Sequence, residues 1–270
     1  MINEIFKDTM VNMNWTEIQN FVDKNALVLL PMGVIEEHGP QLCLGTDIYT
    51  AYIYCLAIKE KLEKSGHTVV IAPPFYWGVC QSTSGFIGSF HVRKNTARAL
   101  IYDILLSLSE FGFNNVFGVN VHGDIEHNIA IIEAFKEAQE QLDINACYAF
   151  DECRFPHFKL KLDEPYLCPI KTQTINVSKA EISDVHGGDI ETAMMYEFYP
   201  TLVDVEKAIS LPPITLDNSS GEDWLFGGHI KELSSQGYLG SPADFKDVEV
   251  QKNVDDYAYR ISEAILRRIV

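Results

Sequence analysis

The chain of 270 residues has no apolar run approaching the ~20 residues that a membrane-spanning helix requires. Its start, Met1-Ile2-Asn3-Glu4-Ile5-Phe6-Lys7-Asp8, lacks the basic and apolar regions of a signal peptide. Positive charge is also scarce. Lys and Arg total 21 against 38 Asp and Glu, a formal net charge of −17. Such a surface repels phosphate backbones and anionic lipid, which argues against nucleic acid or membrane as a partner. The six cysteines form no C-x-x-C pair and no short secreted framework, so the expectation is reduced thiols and a cytoplasmic protein. No internal repeat, low-complexity tract or linker interrupts the chain. With 47% hydrophobic residues it can bury an ample core, and one domain over residues 1–270 is expected.

Short apolar runs alternate with helical periodicities. Strands are expected over 26–30, 68–72, 115–121 and 144–150. Helices are expected over 15–22, 48–64, from Asn95 as a cap to Gly112, over 127–142, 189–198 and 243–269. That order predicts an α/β fold, a three-layer αβα sandwich around a mainly parallel sheet. Residues 151–185 read as an irregular lid or oligomer arm.

Two of these strands end in chemistry. The first runs into Glu36 and His38, two residues apart and so on one side of an extended segment. Asp47 follows at the head of a helix. The third strand ends in His122 and Asp124, with the same spacing. Ligands bind outside the carboxyl ends of strands in a parallel sheet, so both pairs fall on the rim where a site belongs. If one carboxylate bridges, one ion takes Glu36, Asp47 and His122, and the other takes His38, Asp47 and Asp124. Nitrogen and oxygen donors without thiolate suit two divalent ions of Zn, Mn or Fe. Each residue also has a plain structural use: Asp47 at a helix N-terminus, His122 as a hydrogen-bonded loop residue, Asp124 turning the chain into the next helix.

The motif Pro31-x-Gly33-x-x-Glu36-x-His38-Gly39-Pro40 with Gly45-Thr46-Asp47 resembles the opening motif of the creatininase (creatinine amidohydrolase) family. Phe86-Ile87-Gly88-Ser89, Asn120-x-His122, His186-Gly187-Gly188-Asp189-Ile190-Glu191-Thr192 and Gly237-Tyr238-Leu239-Gly240-Ser241-Pro242 resemble its later motifs in the same order. The resemblance implies that Glu36, His38, Asp47 and His122 are metal ligands, and that Asp124 stands where creatinine-hydrolysing members carry a ligating Glu. It implies that His186 moves protons beside the carboxylate of Glu191, and that the protein is a homo-oligomer, a hexamer. The reaction it implies is hydrolysis of a cyclic amide or formamide-type C–N bond in a small molecule by a metal-bridging hydroxide. Other members open an inositol-derived cyclic ketone by C–C cleavage, deformylate, or mature peptide-derived cofactors, and a non-catalytic metal- or peptide-binding relative is the opposing class. Departures fall on the pocket: Val121 for Gly, Ile125 for Asn, Thr83 for His, and no Trp in residues 179–185, where creatinine-hydrolysing members place one.

Overall fold

The computed structural model describes residues 6–171, 185–215 and 230–269. Five parallel strands form the sheet: β1 (Leu27–Met32), β2 (Val69–Ile71), β3 (Asn115–Asn120), β4 (Asn145–Asp151) and β5 (Leu167–Ile170), in the order β2-β1-β3-β4-β5. Helices α1 (Trp15–Asp23), α2 (Thr46–Lys64), α3 (Lys94–Glu110) and α4 (Ile125–Gln141) precede or connect the first four strands. After the short α5 (Phe155–Phe158) and β5 come α6 (Asp189–Phe198), α7 (Val205–Ser210), α8 (Ile230–Leu233) and α9 (Val250–Leu266).

Period-2 alternation along β1 explains the three layers. Val28, Leu30 and Met32 face a core built with Ala97, Ile101 and Leu105 of α3 and Ile131 and Phe135 of α4. Leu27 and Leu29 face the opposite core, with Cys55, Ile58 and Leu62 of α2 and Ile261 and Ile265 of α9. Both faces of the sheet are covered, as an all-parallel sheet requires. The chain leaves β1 toward β2 on one side and returns through α3 to β3 on the other. The carboxyl ends of β1 and β3 therefore diverge at a switch point, and the crevice between them is where such folds hold ligands.

Several expected boundaries shift for identifiable reasons. β1 continues through Pro31, whose carbonyl accepts from Phe75 N at 2.9 Å. Helix α3 starts one residue before the expected cap Asn95; Arg93 precedes it with no side-chain cap. Helix α4 starts earlier because Asp124 caps it. The stretch expected to be irregular holds β5, four residues with Pro169 among them, too short and too Pro-marked to signal a strand. Residues 172–184 of that stretch lie outside the described residues, as does most of the segment lacking a Trp. The expected last helix is a 3₁₀ segment, Pro242–Asp247, followed by α9. None of the six cysteines is in a disulfide. Among the described residues no helix is long and apolar enough to cross a membrane.

Candidate metal centre

The chain leaving β1 carries Glu36 and His38 into the crevice, and the first turn of α2 brings Asp47 beside them. Glu36, His38 and Asp47 are all at most 2% exposed. That approach depends on Gly33, since a Cβ there would lie 2.7 Å from Asp47 Cβ. From the other side of the switch point comes His122. A turn locked by Asn120 holds it: Asn120 Nδ2 donates to the His122 carbonyl at 2.8 Å, and His122 N donates back to Asn120 Oδ1 at 3.2 Å. Asn128 donates to the same carbonyl, and Tyr148 OH donates to Asn128 Oδ1 at 2.6 Å.

Hydrogen bonds fix which ring nitrogen faces inward. His122 Nε2 lies 3.0 Å from the Val79 carbonyl, which can only accept, so the proton sits there and Nδ1 faces the acids. His122 Nδ1 is 2.8 Å from Glu36 Oε1 and 3.2 Å from Asp47 Oδ2. His38 Nδ1 is likewise 3.2 Å from the Glu36 carbonyl, leaving Nε2 pointed at Asp47 Oδ1, 3.3 Å away. Asp47 thus offers one oxygen to each imidazole. A ring-nitrogen lone pair against a carboxylate oxygen is repulsive unless a cation lies between them or the ring is charged. Without an ion the protons take that place. Burial pushes His38 down, yet Glu191, Asp47 and Glu36 raise its pKa to about 10. Burial disfavours the charge on Glu36, but His122 and His186 outweigh it and hold Glu36 at about 2. The donor set, nitrogen and oxygen atoms buried and aimed at common points, fits divalent cations.

Among the described residues, three groups of candidate ligands lie close enough to hold an ion: Glu36, Asp47 and His122; His38, Asp47 and Glu191; and Glu36, His38 and His186. The structure brings together Glu36, His38, Asp47 and His122 as expected from their spacing. It does not bring Asp124 with them. Asp124 Oδ1 accepts from His127 N at 3.0 Å and Oδ2 from Gln81 N at 2.8 Å, so both oxygens are engaged by backbone N–H groups. Glu191, in the first turn of α6, lies beside the cluster, with Oε1 3.8 Å from His38 Nε2 and Oε2 accepting from Gly187 N at 2.6 Å. Gly187 has φ +59, and a Cβ there would lie 2.5 Å from the His38 carbonyl oxygen, so that turn admits little else. His186 stacks on His38 with ring centroids 4.3 Å apart. Its Nε2 meets the Glu37 carbonyl at 2.6 Å, and its Nδ1 lies 4.0 Å from Glu36 Oε1.

Spacing gave no sign of the groups that steady Glu36. Thr83 Oγ1 donates to Glu36 Oε2 at 2.6 Å, and Cys80 Sγ lies 3.2 Å from the same oxygen. Both come from the loop after β2, and only a departure from the family pattern at Thr83 marked it. Thr83→Val should weaken metal binding about 10–100-fold, the usual cost of losing an outer-shell partner, with the fold intact. Metal titration of the variant measures this, and an unchanged affinity would show that Glu36 does not need the hydroxyl.

The family model described as creatininase, creatinine amidohydrolase, matches residues 11–265. A creatinine amidohydrolase of Pseudomonas putida is 24% identical over 209 residues, covering 75% of this chain and 76% of that protein. A mycofactocin precursor peptide peptidase of Mycolicibacterium smegmatis is 32% identical over 98 residues, covering 36% and 39%. A solved creatinine amidohydrolase (creatininase) structure superposes with a TM-score of 0.71 at 19% identity, covering 96% of this chain and 97% of that one.

Proposed function

The chain belongs to the creatininase family, and on that premise we propose that it is a hydrolase acting on a carbon–nitrogen bond of an amide with two divalent metal ions. The observation that carries this reading is Asp47, whose two oxygens each face an inward ring nitrogen, Oδ1 that of His38 and Oδ2 that of His122. Glu36, Asp47 and His122 would hold one ion; His38, Asp47 and Glu191 would hold the other. When bound, two such ions supply a water of lowered pKa and polarise the substrate carbonyl. The protein's part is to keep the donors dry and fixed, and to move the proton. His186 is tied through Nε2 to the Glu37 carbonyl, so Nδ1, facing Glu36, is the atom that can take a proton and pass it on. Water is added across the bond: OH ends on the carbonyl carbon and H on the departing nitrogen.

Metal analysis of two variants tests the ligand set. Glu191→Gln should lower metal stoichiometry, whereas Asp124→Asn should leave it near the wild-type value and leave α4 in place, since Asn caps a helix about as well as Asp. The opposite pattern would return Asp124 to the metal and sink the assignment of Glu191.

The similarity to a mycofactocin precursor peptide peptidase supports a second reading, in which the amide belongs to a peptide. Either way creatinine should be a poor substrate, because the pocket-closing Trp of creatinine-hydrolysing members has no counterpart in residues 179–185. The metal-loaded protein should show kcat/KM on creatinine below about 10⁴ M⁻¹s⁻¹, the floor of typical enzymes. Efficient turnover above that floor would contradict this.

A further inference from the structure

Beside the candidate metal centre, between α2, the ends of β3 and β4, and α6, lies a cavity of about 230 Å³ whose lining includes Thr50, Tyr54, Asp151, Arg154, Glu191 and Tyr257. It adjoins the metal centre through Glu191, whose Oε1 faces His38. Most polar groups around it already have partners. Glu191 Oε2 accepts from Gly187 N. Asp151 has Arg260 Nη1 at 3.9 Å, and the positive charges of Arg154 and Arg260 both act on it.

Arg154 differs from these. It is half-buried, it lines the cavity, and no hydrogen bond or ion pair engages its guanidinium among the described residues. Four other polar residues of the same stretch, His157, Lys159, Lys161 and Asp163, are exposed at the surface, so among the described residues of that stretch Arg154 is the basic group turned inward. The second observation is Thr50. It is 7% exposed, and its Oγ1 is buried without a hydrogen-bond partner. A buried hydroxyl left unpaired costs free energy unless something else satisfies it. The phenols of Tyr54 and Tyr257 add two more O–H donors, and burial pushes both pKa values up, keeping them neutral.

We infer that this cavity is the subsite for a carboxylate carried by the substrate, with Arg154 as the residue that recognises it and the Thr50 hydroxyl as a second donor. This rests on the metal-hydrolase reading for the identity of the neighbouring reaction, but the subsite itself stands on groups that hold no metal. A monoanion fits better than phosphate for two reasons. Arg260 faces Asp151 and Glu191 faces the metal centre, which leaves one positive charge, that of Arg154, to match a single negative one. The volume also admits only a small acid of a few non-hydrogen atoms beyond the reacting carbonyl. The substrate class is thus an amide bearing a carboxylate a short distance from the bond that is cut.

Calorimetric titration with N-acetylglycine, N-acetylglycinamide and inorganic phosphate tests this on metal-free and metal-loaded protein. Wild type should bind the acid at least about tenfold more tightly than the amide, in both forms, since a charge-assisted hydrogen-bond pair is worth about tenfold to a hundredfold. Arg154→Gln should abolish that preference and Arg154→Lys should retain part of it. Thr50→Val, which keeps the shape, should weaken the acid about threefold to tenfold. No preference in wild type would overturn the inference. So would a preference that survives Arg154→Gln, because the carboxylate would then sit elsewhere. Arg154-dependent binding of phosphate in preference to the acid would overturn the carboxylate assignment. Metal content measured in the same samples reads the hydrolase proposal separately: a protein that takes up no metal defeats that proposal, while the acid preference of the metal-free form still decides the subsite.

Discussion

Replacing Asp47 with Asn is expected to strip metal from both halves of the site while the fold stands. The carboxylate presents Oδ1 to His38 Nε2 at 3.3 Å and Oδ2 to His122 Nδ1 at 3.2 Å. An amide has one acceptor oxygen, and its NH₂ end would turn donor hydrogens toward one of the two ion positions. It also removes a full negative charge from between the two proposed ion positions. Loss of metal affinity should exceed the ~10–100-fold typical of an outer-shell partner, and hydrolysis should fall with it. Asn has the same shape as Asp, and its oxygen can still accept from Val34 N, which donates to Oδ2 at 3.3 Å in the wild type, so the start of α2 should hold. Elemental analysis with circular dichroism checks both halves of this expectation. Undiminished stoichiometry would remove Asp47 from the bridge, and with it the case for paired ions.

His186→Ala should separate chemistry from metal binding. The imidazole is 6% exposed, stacked on His38 and anchored to the Glu37 carbonyl. Burial and the neighbouring His38 push its pKa down, yet Glu36, Glu37 and Glu191 carry it above the ordinary value. With Nε2 tied to the Glu37 carbonyl, Nδ1 faces Glu36 and is the atom placed to carry a proton to the product nitrogen. The variant should keep its metal and lose about 10²–10⁴-fold in turnover, the range of a general acid–base group. The rival is visible in the same geometry, because Glu36, His38 and His186 lie close enough together to hold an ion. If His186→Ala loses metal in step with activity, His186 is a ligand and another group must move the proton.

Much of this architecture was legible before any fold was in hand. Strand β1 reads as a continuous apolar run because both of its faces are buried, and α6 matches its expected span from Asp189 to Phe198. Glu36 and His38 announce themselves by a spacing of two at a strand end, and His122 by the same device on β3. Local periodicity survives folding, so these features could be read from neighbours in the chain. Strand β5 could not, since four residues with a proline carry little periodicity and join the sheet only because β4 offers an unpaired edge. Thr83 and Cys80 were equally silent, as their bond to Glu36 spans more than forty residues.

The sharpest division concerns the last acid. By sequence, Asp124 is a ligand candidate through its spacing with His122 at a strand end, while Glu191 is marked only by the family resemblance, as a carboxylate beside His186 at the start of a helix. Where each carboxylate points follows from tertiary structure, because the backbone N–H groups it meets set the direction of its oxygens. The loop after β2 delivers Gln81 N to Asp124, whose other oxygen caps α4, and both oxygens are thereby aimed at backbone N–H groups. Glu191 gives one oxygen to Gly187 N and keeps the other, and the fold of the Gly187 turn against His38 points it at the open position.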